Sequence, residues 1–110
     1  MENLLFVCSI GLNRSPTAAA FFEYSEKYQA EFAGTHFLAK NKISREQVKW
    51  ADMIFCMREK HKKYVLNNFP EENATISVLD IPVYHLKNTK PLNKILKSKL
   101  EQIGILEDLT

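Results

Sequence analysis

Leu4-Leu5-Phe6-Val7 is apolar at four successive positions, and a strand without a polar side must be covered on both faces. That run constrains the fold more than any other feature, because strands of this kind belong to parallel sheets enclosed by helices. The rest of the chain supplies the other parts. Ser15-Pro16-Thr17 reads as an N-cap with proline at the first helical position, and Ala18-Ala19-Ala20-Phe21-Phe22 continues as helix. Glu31-Phe32-Ala33-Gly34-Thr35 is a candidate second strand, weakened by the low β-preference of Ala33 and Gly34. Ser44-Arg45-Glu46-Gln47 fits a capping box that opens a short helix carrying Val48 and Trp50. Met53-Ile54-Phe55-Cys56-Met57 is a third apolar strand. A basic helix is expected from about Arg58 to Asn67, with Tyr64, Val65 and Phe69 turned inward and Pro70 as its stop. Thr75-Ile76-Ser77-Val78-Leu79 is the fourth strand. From about Pro91, a last helix carries Leu92, Ile95, Leu96, Leu100 and Ile103 on one face, and Gly104 ends it. The alternation predicts an open α/β sheet of parallel strands with right-handed crossovers. Ligands of such sheets bind at the carboxyl ends of the strands, so the loop after the first strand is the place to look for chemistry.

Composition narrows the function classes. With 110 residues, no internal repeat and no linker, one domain over residues 1–110 is expected. Hydrophobic residues at 45% and charged residues at 25% argue against a disordered or fibrous chain. A net charge of +2 does not demand a polyanionic partner. Arg58, Lys60, Lys62 and Lys63 therefore read as a solvated helix face, and nucleic acid is not expected as a ligand. No apolar run approaches the roughly 20 residues of a membrane span, and Met1-Glu2-Asn3 lacks a basic signal-peptide start. A cytoplasmic protein with no membrane partner is expected. Cys8 and Cys56 should then stay reduced, and they are too few for a structural zinc site.

Val7-Cys8-Ser9-Ile10-Gly11-Leu12-Asn13-Arg14-Ser15-Pro16 puts a cysteine at a strand end, an arginine six positions on, and a helix directly afterwards. Each feature answers a need of phosphate-monoester chemistry. Backbone N–H groups from Ser9, Ile10, Gly11, Leu12 and Asn13, gathered at a helix N-terminus, can cradle a dianion. Gly11 can take φ > 0 and let the amides turn inward. Arg14 offers a planar fork for two phosphoryl oxygens, which lysine lacks. In that positive field the Cys8 thiolate, the nucleophilic form, is favoured. Ser15 can donate a hydrogen bond to the sulfur. The ordinary reading is that a cysteine closing a buried strand is a small hydrophobe and Arg14 a surface residue. The coincidence of strand, cysteine, glycine, arginine and helix start in one place favours an anion site.

On these residues the chain resembles the low-molecular-weight protein tyrosine phosphatases, whose active loop is a Cys, five residues, Arg and Ser at the first strand-to-helix turn. Cys8, Arg14, Ser15 and Pro16 match that pattern. Ala33-Gly34-Thr35, the strand Ala51 to Met57, and Asp80-Ile81-Pro82-Val83-Tyr84 are similar to further stretches of the family, and the likeness covers about residues 4–84. The length is that of its compact bacterial and archaeal members. The resemblance implies a three-layer α/β fold of the phosphatase I type, with a four-stranded parallel sheet in the order 2-1-3-4. It implies hydrolysis of phosphotyrosine or a similar aryl phosphate through a phosphocysteine on Cys8, without metal or cofactor. Arg14 and Ser15 would serve the loop, Asp80 would be the general acid, and Tyr84 would flank the entrance against an aromatic substrate. The partners implied are a phosphorylated protein or small aryl phosphate, with inorganic phosphate or sulfate also able to fill the loop.

The sequence departs from the family at three points. Gly11 stands where the family usually has a loop-bracing Asn, and Asn13 where many members carry a second Cys. Ile81 separates Asp80 from Pro82, whereas the family's acid directly precedes its proline; a different alignment puts Val83 at the acid's position, and His85 is a possible substitute. Without an acid the chain would be a weakly catalytic phosphate- or phosphotyrosine-binding module. Arsenate reduction needs resolving cysteines, and none lies from Asp80 onward; a phosphocysteine carrier would not need Arg14. Cys56 reads as core.

Overall fold

The computed structural model describes residues 1–10, 14–70, 74–81 and 89–105. Its strands are β1 (Glu2–Cys8), β2 (Tyr28–Gly34), β3 (Met53–Cys56) and β4 (Thr75–Val78), and its helices α1 (Arg14–Ala20), α2 (Arg45–Trp50), α3 (Glu59–Asn68) and α4 (Lys90–Gln102). All strand pairings are parallel, in the order β2-β1-β3-β4. This is the sheet expected from the resemblance. The register aligns Cys8 with Gly34, Val7 with Cys56, and Cys56 with Val78, so the carboxyl ends of all four strands meet at one edge.

The continuous apolar run of β1 is explained by burial on both sides. Leu4, Phe6 and Cys8 join Ala18, Phe22, Leu92, Leu96 and Leu100 on the face covered by α1 and α4. Leu5 and Val7 join Val48, Cys56 and Val65 on the face covered by α2 and α3. Phe6 stacks between Phe22 and Phe55, with ring centroids 5.8 and 5.4 Å away. Each fully buried Leu or Phe contributes about 1.5–3 kcal/mol, and in α4 the spacing of Leu92, Leu96 and Leu100 delivers three of them from one stripe.

Several local expectations are corrected. α1 starts at Arg14, so Ser15 lies inside its first turn and is not the N-cap; its hydroxyl is turned to the sulfur of Cys8 instead. The helix also ends early, at Ala20. The N–H groups of Phe21, Phe22 and Glu23 bond to carbonyls three residues back at 3.2, 3.0 and 3.3 Å, a tightened turn that still buries Phe22. Ser44 does cap α2, accepting from the Gln47 N–H at 3.2 Å. The return half of the box is not made, because the Gln47 amide reaches Glu31 Oε1 and Phe32 O on β2. Ile103 is 43% exposed, since it follows the end of α4 and has left the Leu92–Leu96–Leu100 stripe. The next residue, Gly104, has φ +81°, the left-handed stop expected of it. In α3, Lys60 and Lys63 are exposed as expected, but His61 between them is fully buried.

Candidate active site

β1 is a central strand, and its last residue brings Cys8 to the carboxyl edge of the sheet. The Cys8 side chain is 2% exposed, and its Sγ lies 3.0 Å from Ser15 Oγ. Ser15 Oγ is also 3.5 Å from the Ala33 carbonyl, at the outer limit for a hydrogen bond. With a thiol, the serine can donate to Ala33 and accept from sulfur. A thiolate only accepts, so deprotonation of Cys8 turns the serine proton to the sulfur.

The two carbonyls that open the loop are pinned to the segment after β2. Cys8 O accepts from Thr35 N–H at 2.9 Å and Ser9 O from His36 N–H at 2.8 Å. That approach explains Gly34: a Cβ there would lie 2.7 Å from Ser9 O, from Ile10 C and from Ala39 Cβ, closer than real contacts allow. The residue that weakened the β2 pattern is the one that lets the loop pack on β2.

Arg14, the first residue of α1, is 3% exposed, and its Nη1 donates to the Ile81 carbonyl at 2.9 Å. The side chain borders a cleft of about 580 Å³ shared with Arg58, Glu59, Lys60, Val78 and Asp80. Burial lowers the Arg14 pKa from its ordinary value, the Cys8 charge opposes that shift, and the Arg58 charge adds to it. An arginine nonetheless stays protonated. A cation that burial and a neighbouring cation both penalise is stabilised when an anion enters the cleft. Since α1 has only seven residues, Arg14 is a larger source of positive potential than the helix dipole invoked from the sequence.

Asp80 is brought to the same cleft. The backbone is fixed on both sides of it, by Leu79 N–H to Cys56 O and Ile81 N–H to Met57 O, both at 2.8 Å. Between these anchors Asp80 adopts φ +60°, a left-handed conformation that aspartate tolerates better than most residues. Its Oδ1 is 3.1 Å from Arg58 Nε, with side chains 71% and 47% exposed. A pair so open to water contributes about 0–1 kcal/mol. Ile81, which separates Asp80 from Pro82, is fully buried and supplies the carbonyl that holds Arg14.

His61 was not singled out from the sequence. Its imidazole is fully buried; Nδ1 accepts from the Arg58 N–H at 3.0 Å, and Nε2 lies 2.9 Å from Ser9 Oγ. Burial first, then the charges of Arg14, Lys60 and Arg58, lower its pKa to about 4. The only available signal was a histidine on the inward phase of α3, four residues before Val65, and among lysines that reads as polar surface.

Of the residues the sequence points to, Cys8, Ser9, Ile10, Arg14, Ser15 and Asp80 gather at this edge, with Ile10 exposed. Gly11, Leu12, Asn13, Tyr84, Val83 and His85 lie outside the described residues. Cys56 is core: it packs with Leu5 and Val7 on the face opposite Cys8, and burial pushes its thiol pKa up to about 12. Neither cysteine is in a disulfide.

No protein-family model and no curated protein matches the chain. Solved structures do. A low-molecular-weight protein tyrosine phosphatase from T. tengcongensis superposes with a TM-score of 0.74 at 19% identity, covering 96% of this chain and 97% of that one. A protein tyrosine phosphatase from Entamoeba histolytica, with Hepes in its active site, gives 0.74 at 19% identity over 96% of each chain. The YwlE arginine phosphatase from Geobacillus stearothermophilus gives 0.65 at 20% identity, covering 96% of this chain and 88% of that one. At such identities the likeness is one of fold. The fold is that of the low-molecular-weight protein tyrosine phosphatases, as the Cys8-to-Ser15 pattern implied.

Proposed function

We infer that the chain is a cysteine-dependent phosphatase that hydrolyses phosphotyrosine or a similar aryl phosphate through a phosphocysteine on Cys8. The observation that carries this reading is the meeting of Cys8 Sγ, Ser15 Oγ and the buried Arg14 guanidinium at the carboxyl end of the central strand. In the first step the thiolate attacks phosphorus, an S–P bond forms, and the P–O bond to the aryl group breaks. The Arg14 fork holds two non-bridging oxygens as charge redistributes over them. Asp80, which lines a cleft with Arg14 and Arg58, donates its proton to the departing phenolate. In the second step the Asp80 carboxylate takes a proton from water, which attacks phosphorus and breaks the S–P bond. The Ser15 hydroxyl donates to the thiolate as it leaves. Two cysteines outside disulfides fit a reducing, cytoplasmic setting, and no helix among the described residues is long and apolar enough to cross a membrane.

One observation favours a second reading, a phosphate- or phosphotyrosine-binding module with weak turnover. The Asp80 carboxylate lies 3.1 Å from Arg58 Nε, a contact that competes with reaching the oxygen of a leaving group. A single experiment separates the readings. Release of p-nitrophenol from its phosphate ester, with chelator present, is followed in wild type and Cys8→Ser, with phosphotyrosine and phosphoarginine assayed in parallel because one fold neighbour is an arginine phosphatase. The phosphatase reading expects a burst followed by turnover in wild type, none in Cys8→Ser, and preference for the aryl esters. Phosphate binding without turnover would favour the module, and equal turnover in Cys8→Ser would remove Cys8 from the chemistry.

A further inference from the structure

We propose that His61 is a positioning residue for the phosphate loop, holding it from outside through the Ser9 hydroxyl. The proposal rests on the reading of residues 8–15 as an oxyanion site. The geometry defines the proton on the ring. Nδ1 receives the Arg58 N–H at 3.0 Å, so it must carry the lone pair, and Nε2 must carry the hydrogen it shares with Ser9 Oγ at 2.9 Å. Ser9 Oγ then accepts from the imidazole and keeps its own hydrogen as a donor, the polarity an anion cradle uses. Burial first, and then the charges of Arg14, Lys60 and Arg58, disfavour a charged imidazole, which keeps the ring neutral and this direction of donation in place.

The connection is non-local, spanning from the N-terminal turn of α3 to the residue after Cys8. Within the loop, Gly11 has no side chain with which to brace its neighbours. Outside it, the contacts that hold Ser9 are the His36 N–H on its carbonyl and His61 on its hydroxyl. Of these two, the second joins the loop to α3, the helix whose cap, Arg58, pairs with Asp80. His61 thus ties the loop of the nucleophile to the side of the cleft that carries the candidate acid.

The test compares wild type, His61→Asn, His61→Gln, Ser9→Ala and the His61→Asn/Ser9→Ala double variant. Two readouts are taken: the affinity for inorganic phosphate, and amide hydrogen exchange at Ser9 and Ile10 in the free protein. An Asn oxygen can replace Nδ1 towards Arg58 but its side chain is too short to reach Ser9, whereas a Gln nitrogen can occupy the Nε2 position. The expected result is a phosphate affinity about 3- to 10-fold weaker in His61→Asn, the scale of one lost hydrogen bond. The same loss is expected in Ser9→Ala, no further loss in the double variant, and recovery in His61→Gln. Exchange at Ser9 and Ile10 should accelerate in step, while Val65 in α3 stays protected. Unchanged phosphate affinity and exchange in both His61→Asn and Ser9→Ala, or fully additive losses, would overturn the proposal. If wild type itself ignores phosphate, the oxyanion reading fails separately; exchange at Ser9 and Ile10 still decides whether His61 holds the loop.

Discussion

The roles proposed for Cys8, Ser15 and Arg14 rest on the bonds available to each. Ser15 Oγ lies 3.0 Å from the sulfur and can turn to stabilise its anion, and the guanidinium is anchored at one nitrogen by Ile81 O; in the proposed mechanism its other N–H groups bind phosphoryl oxygens. Arg14→Lys keeps a charge but loses the fork. It should lower kcat/KM on p-nitrophenyl phosphate by about 10²-fold, the scale of one transition-state donor; a steady-state assay within a few-fold of wild type would assign Arg14 a packing role. Asp80→Asn should cost about 10²–10⁴-fold on phosphotyrosine and less on p-nitrophenyl phosphate, whose leaving group needs protonation less. A kcat/KM on phosphotyrosine within a few-fold of wild type in the variant would remove Asp80 from the mechanism. His61 gives a pH dependence of stability. Its pKa falls from 6.5 to about 4 in the folded chain, so between those values the unfolded state binds the extra proton. Its contribution is complete above about pH 6.5 and is lost as pH falls towards 4, with a slope of at most about 1.4 kcal/mol per pH unit. Across that window the denaturant midpoint of wild type should fall relative to that of His61→Gln as pH is lowered. The spacing of Cys8, Arg14 and Ser15 made them legible in the sequence. His61 and Ile81 were not, because their roles depend on partners 52 and 67 residues away.

At the scale of elements, apolar runs and capping signals marked the strands and helices of the described residues, and long-range partners decided their edges. Ser15 was read as a cap because Ser-Pro starts helices, but its hydroxyl serves Cys8 and the helix begins at Arg14. The local pattern at Ser44 and Gln47 was half right, since β2 offers Gln47 acceptors that a window of four residues does not contain. Gly34 looked like a weak point of β2 and proved to be where the loop rests on the sheet. Gly34→Ala should therefore cost about 1–3 kcal/mol, as overpacking against backbone does, and weaken phosphate binding in the same protein. A denaturant midpoint and phosphate affinity both equal to wild type would show that the loop does not need this approach. Asp80 stands at the corresponding place after β4, fixed by backbone bonds on either side, where a positive φ aims its carboxylate at the cleft.

Over the whole molecule, one parallel sheet separates two cores and two cysteines. Cys56 faces α2 and α3 with its thiol pKa pushed up to about 12, while Cys8 faces the other layer beside Ser15 and Arg14. A direct disulfide between side chains on opposite faces would require the sheet to open, so oxidation should not join them. The doubly buried run Leu4 to Val7, together with the alternation of strands and helices, was enough to foresee this architecture, since parallel strands of this kind are covered by helices on both faces. The order of the strands came from the family resemblance, because apolar runs carry no information on which neighbour each strand selects. The central claim is that the sulfur on this edge carries the phosphoryl group. Acid quenching during turnover of p-nitrophenyl phosphate, followed by mass spectrometry of the fragments, tests it most directly. The account predicts a phosphoryl adduct on Cys8 that is absent in Cys8→Ser; product release without an adduct on Cys8, or an adduct on another residue, would contradict it.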